Sequence, residues 1–139
     1  MESVDTREIL RLCRVFAVVG LSPKPFRDSH RVARFLQEHG YRIIPVYPRE
    51  ERILGEKVYG SLPDIPEAVD VVDLFRRSDA VEPFVDQAIA MRAKVIWMQL
   101  GVVHEKAAEK ARAAGLQVVM DRCPVIEYGL HFGGAARPF

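Results

Sequence analysis

Short apolar runs alternate with longer amphipathic stretches along this chain, and that alternation predicts the elements. "VFAVVG" (residues 15–20) reads as a buried strand closed by glycine. "SHRVARFLQEHG" (29–40) puts Val32, Phe35, Leu36 and His39 on one helical face, with Gly40 as a stop. "YRIIPVYP" (41–48) is a second strand, whose Pro45 calls for a position where its missing N–H faces no partner. Residues 55–66 read as a loop, with a short extended piece at Val58-Tyr59. "VDVVDLF" (69–75) is a third strand. "AVEPFVDQAIAMRA" (80–93) is a helix that tolerates Pro83 in its first turn. "KVIWMQLG" (94–101) is a fourth strand, and "HEKAAEKARAAG" (104–115) an alanine-rich helix that His104 caps or flanks. "LQVVMD" (116–121) is a fifth strand, and the segment from Arg122 onward is less regular, with room for one turn of helix before a loose end.

Val- and Ile-rich strands separated by helices predict a parallel sheet covered on both faces. The expected fold is α/β: a Rossmann-like, doubly wound, five-stranded parallel sheet of order 3-2-1-4-5 with helices on both faces. Residues 1–139 then form a single domain, with a core at about 10–128 and an irregular tail over 129–139. In such sheets ligands sit at the C-terminal ends of the strands, near the switch point beside strand 1.

Composition narrows the function. Twenty Lys and Arg against 19 Asp and Glu give a net charge of +1, with the signs interspersed. That argues against broad binding to nucleic acid or an anionic membrane. No apolar run approaches the roughly 20 residues of a membrane span, and the charged start lacks a signal-peptide core. Cys13 and Cys123, the two cysteines, form no CxxC pair, so a reducing cytoplasm is the expected setting.

The candidate chemistry lies in the loops at the strand ends. After strand 1 come Gly20, Leu21, Ser22, Pro23 and Lys24. A glycine turn, a hydroxyl, a lysine and a helix N-terminus suit phosphate. The loop fits neither GxGxxG nor GxxxxGK[ST], and an ordinary turn with an exposed lysine explains it equally well. After strand 2, where NAD proteins favour an acid, stand Pro48 and Arg49. An arginine there suits an extra ribose phosphate, as in NADP or coenzyme A, although a solvated arginine in a charged run is the simpler account. Phe75 and Arg76 follow strand 3. Gln99 and Gly101 end strand 4 and fit a narrow slot for an amide-bearing chain. Cys123 lies near the same edge beside Arg122, but an inert buried thiol is its commonest state. The four histidines show no metal spacing, and no Ser-His-Asp order is recognisable.

Three segments together carry a family likeness: "VFAVVGLSPKPFRDSHRVARFLQEHGYRIIPVYPR", "VDVVDLFRRSDAV" and "AKVIWMQLGVVHEKAAEKARAAGLQVVMDRCPVIEY". They resemble the small single-domain CoA-binding proteins. These are similar to the N-terminal CoA-binding domain of the succinyl-CoA synthetase α subunit and of ADP-forming acyl-CoA synthetases. "WMQLG" and "DRCP.IE" are its most specific parts. The resemblance implies coenzyme A, or an acyl-CoA, bound across the strand ends. Gly20, Ser22 and Lys24 then lie in the phosphate loop and Arg49 at the ribose phosphate. Phe75 and Arg76 lie beside the nucleotide and pantetheine, and Gln99 and Gly101 towards the pantetheine arm. It implies binding without ligase activity, since no phosphohistidine-bearing domain is recognisable in the sequence. An NADP- or nucleotide-dependent enzyme using the same edge, and an interaction module with an unused site, remain the other readings.

Overall fold

A computed structural model of the chain describes residues 4–135. The elements, in chain order, are α1 (Thr6–Leu12), β1 (Val15–Val19), α2 (Asp28–Glu38), β2 (Arg42–Val46), β3 (Arg52–Ile53), β4 (Glu56–Lys57), β5 (Val71–Leu74), α3 (Glu82–Ala90), β6 (Val95–Met98), α4 (Glu105–Ala113), β7 (Gln117–Val119) and α5 (Pro124–Phe132). Five strands form one sheet in the order β2-β1-β5-β6-β7, all neighbours parallel.

Outside β2, Tyr59 bridges to Val46 in parallel. Val58-Tyr59, read from sequence as a short extended piece, thus takes the outer place, and the pattern 3-2-1-4-5 is matched with that bridge in position 3. The run read as the third strand, β5, lies on the other side of β1. The switch point falls between β1 and β5. Pro45 fits this arrangement: its carbonyl accepts from Tyr59 N–H at 3.0 Å, so its missing N–H faces the outer edge, where one bridge forms among the described residues.

Alternation along the buried strands builds two apolar layers. Ala17, Val19, Ile44, Val46, Val72, Leu74, Ile96 and Met98 face α3 and α4, whose Val85, Ala88, Ala107 and Ala111 are wholly buried. Phe16, Val18, Ile43, Val71, Val95, Trp97 and Val119 face α1, α2 and α5. Burying each large aliphatic side chain contributes about 1.5–3 kcal/mol, so sheet and helix positions together supply the hydrophobic stabilisation.

Two parts of the fold depart from the sequence expectation. Helix α1 was not expected, although Asp5 accepts from Glu8 N–H at 3.2 Å and caps it; Asp followed three residues on by Glu is a helix-start signal. The tail is not irregular from 129: α5 continues to Phe132, and residues 136–139 lie outside the described ones. The two helices hold each other. Thr6 Oγ1 donates to Glu127 Oε1 at 2.7 Å, and Arg122 Nη1 approaches the same oxygen at 3.3 Å. A polar contact over that sequence distance has no local signature.

Candidate functional site

At the carboxyl edge of the sheet a groove of about 930 Å³ runs from the β1 turn between α2 and α5. Gly20 makes the turn possible. Its φ of +84° is left-handed, and a Cβ there would sit 2.5 Å from the Phe75 carbonyl oxygen. The strands on both sides hold it: Gly20 N–H donates to the Val46 carbonyl and Phe75 N–H to the Val19 carbonyl, each at 2.9 Å. Only glycine fits where these two strand ends close in.

The loop after Gly20 is knit by its own polar groups. Ser22 N–H donates to Ser29 Oγ at 3.0 Å, and Lys24 N–H donates to Ser22 Oγ at 3.1 Å. The buried His30 donates from Nδ1 to the Ser22 carbonyl at 2.9 Å. This brings Gly20, Ser22 and Lys24 into the groove wall in front of the α2 N-terminus, which no side chain caps. Uncapped N–H groups and the positive end of the helix dipole favour an anion there.

The groove is electropositive although the chain is nearly neutral. Lys24, Arg27, Arg31, Arg34, Arg76 and Arg77 line it, against the carboxylates Asp28 and Glu38. Arg31 is held by Asp28 and donates to the Phe26 carbonyl at 2.9 Å. The Arg76 guanidinium lies 5.8 Å from the centre of the Phe84 ring. Apolar residues share the lining: Val32 and Phe35 of α2, Phe75, Leu100, Val102, Val125 and Ile126, and Gln99 and Cys123 line it too. A lining that combines cations with apolar and amide side chains suits a ligand that is phosphorylated at one end and extended at the other.

The groove thus gathers Gly20, Ser22, Lys24, Phe75, Arg76 and Gln99 of the residues expected from sequence. Four others lie outside its lining. Leu21 is wholly buried in the layer under α2, so it belongs to the core. Pro48 and Arg49 are exposed on the loop after β2, and Tyr47 lines the groove in their place. Gly101, with φ of +80°, serves a turn in which Val102 N–H returns to the Gln99 carbonyl at 2.8 Å. Its own N–H donates to Asp121 Oδ1 at 2.7 Å, tying the loops after β6 and β7 together.

Sequence reasoning missed the α2 arginines. Their spacing at 27, 31 and 34 marks one helical face and was a usable signal. It gave no sign that the face borders a groove, because α5 supplies the other wall. Cys123 is half-buried in that wall, so it is not the fully buried thiol expected. The buried Cys13 is pushed up to about 11 by desolvation, with Asp70 adding to the rise. His104 caps α4, its Nδ1 accepting from Ala107 N–H at 3.1 Å.

Beneath the groove lies Asp73 of β5, wholly buried, its Oδ1 accepting from Gln99 Nε2. Desolvation raises its pKa to about 7, against the lowering effect of the Gln99 hydrogen bond. Among the described residues no cluster of His, Cys, Asp and Glu is arranged to hold a metal ion, and no helix is long and apolar enough to cross a membrane.

Known proteins match this arrangement. A protein of Bacillus subtilis (strain 168), described as uncharacterized protein YneT, is 40% identical over 119 residues, 86% of this chain and 88% of that protein. A hypothetical protein from Pyrococcus horikoshii OT3 has a solved structure at 41% identity and TM-score 0.89, covering 96% of this chain and all of that one. The α subunit of an ADP-forming acetate–CoA ligase of Pyrococcus furiosus is 39% identical over 59 residues, which are 42% of this chain and 13% of that subunit. The family model for the CoA binding domain matches residues 14–129. The chain belongs to the CoA-binding domain family.

Proposed function

We propose that the protein binds coenzyme A, or an acyl-CoA, in the groove between α2 and α5. The observation that carries this reading is a lining that combines the cations Lys24, Arg27 and Arg76 and an uncapped α2 N-terminus with the apolar Phe75, Val125 and Ile126, Gln99 and Cys123. Coenzyme A has the matching make-up, three phosphates at one end and a pantetheine arm with two amides and a thiol at the other. Its phosphates meet the Ser22–Lys24 loop, Arg27 and Arg76. Its arm runs along Phe75 and Gln99. Charge-assisted hydrogen bonds of this kind contribute about 1.5–3 kcal/mol each.

Ligase chemistry is not part of the proposal. A phosphohistidine relay needs a histidine at the ligand, and none lines the groove. His30 is committed to the Ser22 loop and His104 to the α4 cap, while His131 meets Thr6 at 2.8 Å. Isothermal calorimetry with CoA, dephospho-CoA, NADP and NAD tests the reading. CoA is expected to bind most tightly. NAD binding as tightly as CoA would overturn it.

A further inference from the structure

Asp73 is a polar residue where the strand pattern calls for an apolar one. It is in register with Val18 of β1 and Trp97 of β6, and it shares its face with Val71, under α2 and α5. The side chain is wholly buried. Oδ1 has one partner, Gln99 Nε2, and Oδ2 has none among the described residues. A half-satisfied buried carboxyl is expensive to keep. The α1–α5 contacts do not need it, and neighbouring polar groups are already engaged. The Trp97 indole donates to the Arg122 carbonyl at 2.9 Å, and His30 and Ser29 serve the Ser22 loop.

What Asp73 does control is the direction of one amide. Gln99 is itself buried, yet it lines the groove. Its NH₂ group is committed to Asp73. Its carbonyl oxygen is not among the sealed, unpaired atoms and has no bonded partner among the described residues, so it is the end left to the groove. An ionised carboxylate can only accept. Turning the amide over would set oxygen against oxygen and lose the one hydrogen bond Asp73 has. With Asp73 ionised, the groove floor therefore presents an acceptor at this point.

We propose that Asp73 is a positioning residue: it holds the Gln99 amide with its carbonyl oxygen toward the groove, where that oxygen accepts from an amide N–H of the pantetheine arm. This rests on the coenzyme A reading. It also narrows it, because the groove then selects an arm that carries an N–H donor at this depth.

The test compares CoA with 3′-phosphoadenosine 5′-diphosphate, which lacks the pantetheine arm, by calorimetry at pH 8. The proteins are the wild type, Asp73→Leu, Asp73→Ser, Asp73→Asn and Gln99→Leu. Loss of one hydrogen bond is expected to lower CoA affinity about tenfold in Gln99→Leu and Asp73→Leu. The armless nucleotide should stay within about twofold, a selectivity that a general loss of structure does not produce. Asparagine still offers an acceptor to Nε2, so Asp73→Asn should retain CoA affinity within about threefold. Serine is too short to reach Gln99, and it stands in for leucine should that variant fail to fold, with the same expected loss. Unchanged CoA binding in the leucine or serine variant would overturn the proposal. So would equal losses for both ligands, or an asparagine variant as weak as the leucine one. The wild type separates the two readings: failure to bind either ligand sinks the coenzyme A reading itself, whereas normal binding with no selectivity in the variants sinks only the role of Asp73.

Discussion

Replacing Asp73 by asparagine should change the pH dependence of stability, and the structure sets the sign and the size. An unfolded aspartate titrates at about 3.9. In the folded protein Asp73 titrates at about 7, because burial opposes its charged form. Between these two values the folded state keeps a proton that the unfolded state has released. Stability therefore falls as pH rises through this window and levels off above it. A difference of about three pKa units, at 1.36 kcal/mol each, amounts to about 4 kcal/mol lost between pH 4 and pH 8. Asparagine has the same shape and cannot ionise. Relative to wild type, Asp73→Asn should gain stability steadily from pH 4 to pH 8 and gain no more above that. Denaturant unfolding of both proteins at each pH measures this, and the difference cancels acids that titrate alike in both, such as Asp70 and Glu67, whose pKa values are lowered. A difference independent of pH would refute the argument, since it would mean that burial does not oppose the charged form of Asp73.

Other perturbations test other parts of the structure. Gly20→Ala forces a side chain into left-handed backbone and against the Phe75 carbonyl; a loss of about 1–3 kcal/mol is expected in thermal or denaturant unfolding, and a neutral result would show that the turn relaxes freely. In thiol labelling of the native protein, Cys123 should react first and be protected by CoA, while Cys13, buried and with its thiol pushed up to about 11, should react only on unfolding; labelling of Cys123 that ignores CoA would place the pantetheine end elsewhere. Arg76→Ala should weaken CoA binding by about 1.5–3 kcal/mol. Arg49→Ala, outside the groove lining, should change CoA and dephospho-CoA alike by less than about twofold, and a loss confined to CoA would return Arg49 to the ribose phosphate.

The sequence alone determined the layered α/β architecture, because that information is local. Val and Ile runs such as 15–19 and 95–98 are apolar on both faces, and only a sheet covered twice accommodates them. The glycine at the end of β1 and the sheet edge that carries the groove come from the same rhythm, as does the capping histidine of α4. What the periodicity left open was set by contacts between distant segments. Leu21 and Ser22 are adjacent, yet one enters the core and the other the groove wall, because α2 folds back over the first and Ser29 holds the second. The outer sheet position went to Tyr59 through a single bridge; the extended piece at Val58-Tyr59 was legible, the strand it meets was not. The arginines of α2 became a groove rim only because α5 packs opposite, anchored by Thr6 and Glu127 at the two ends of the chain. Asp73 and Gln99 lie on different strands, and nothing in either segment marks them as partners. Local patterning encodes which face of an element is apolar; which polar groups meet across the sheet depends on strand register and helix packing, which the chain defines only once it is folded.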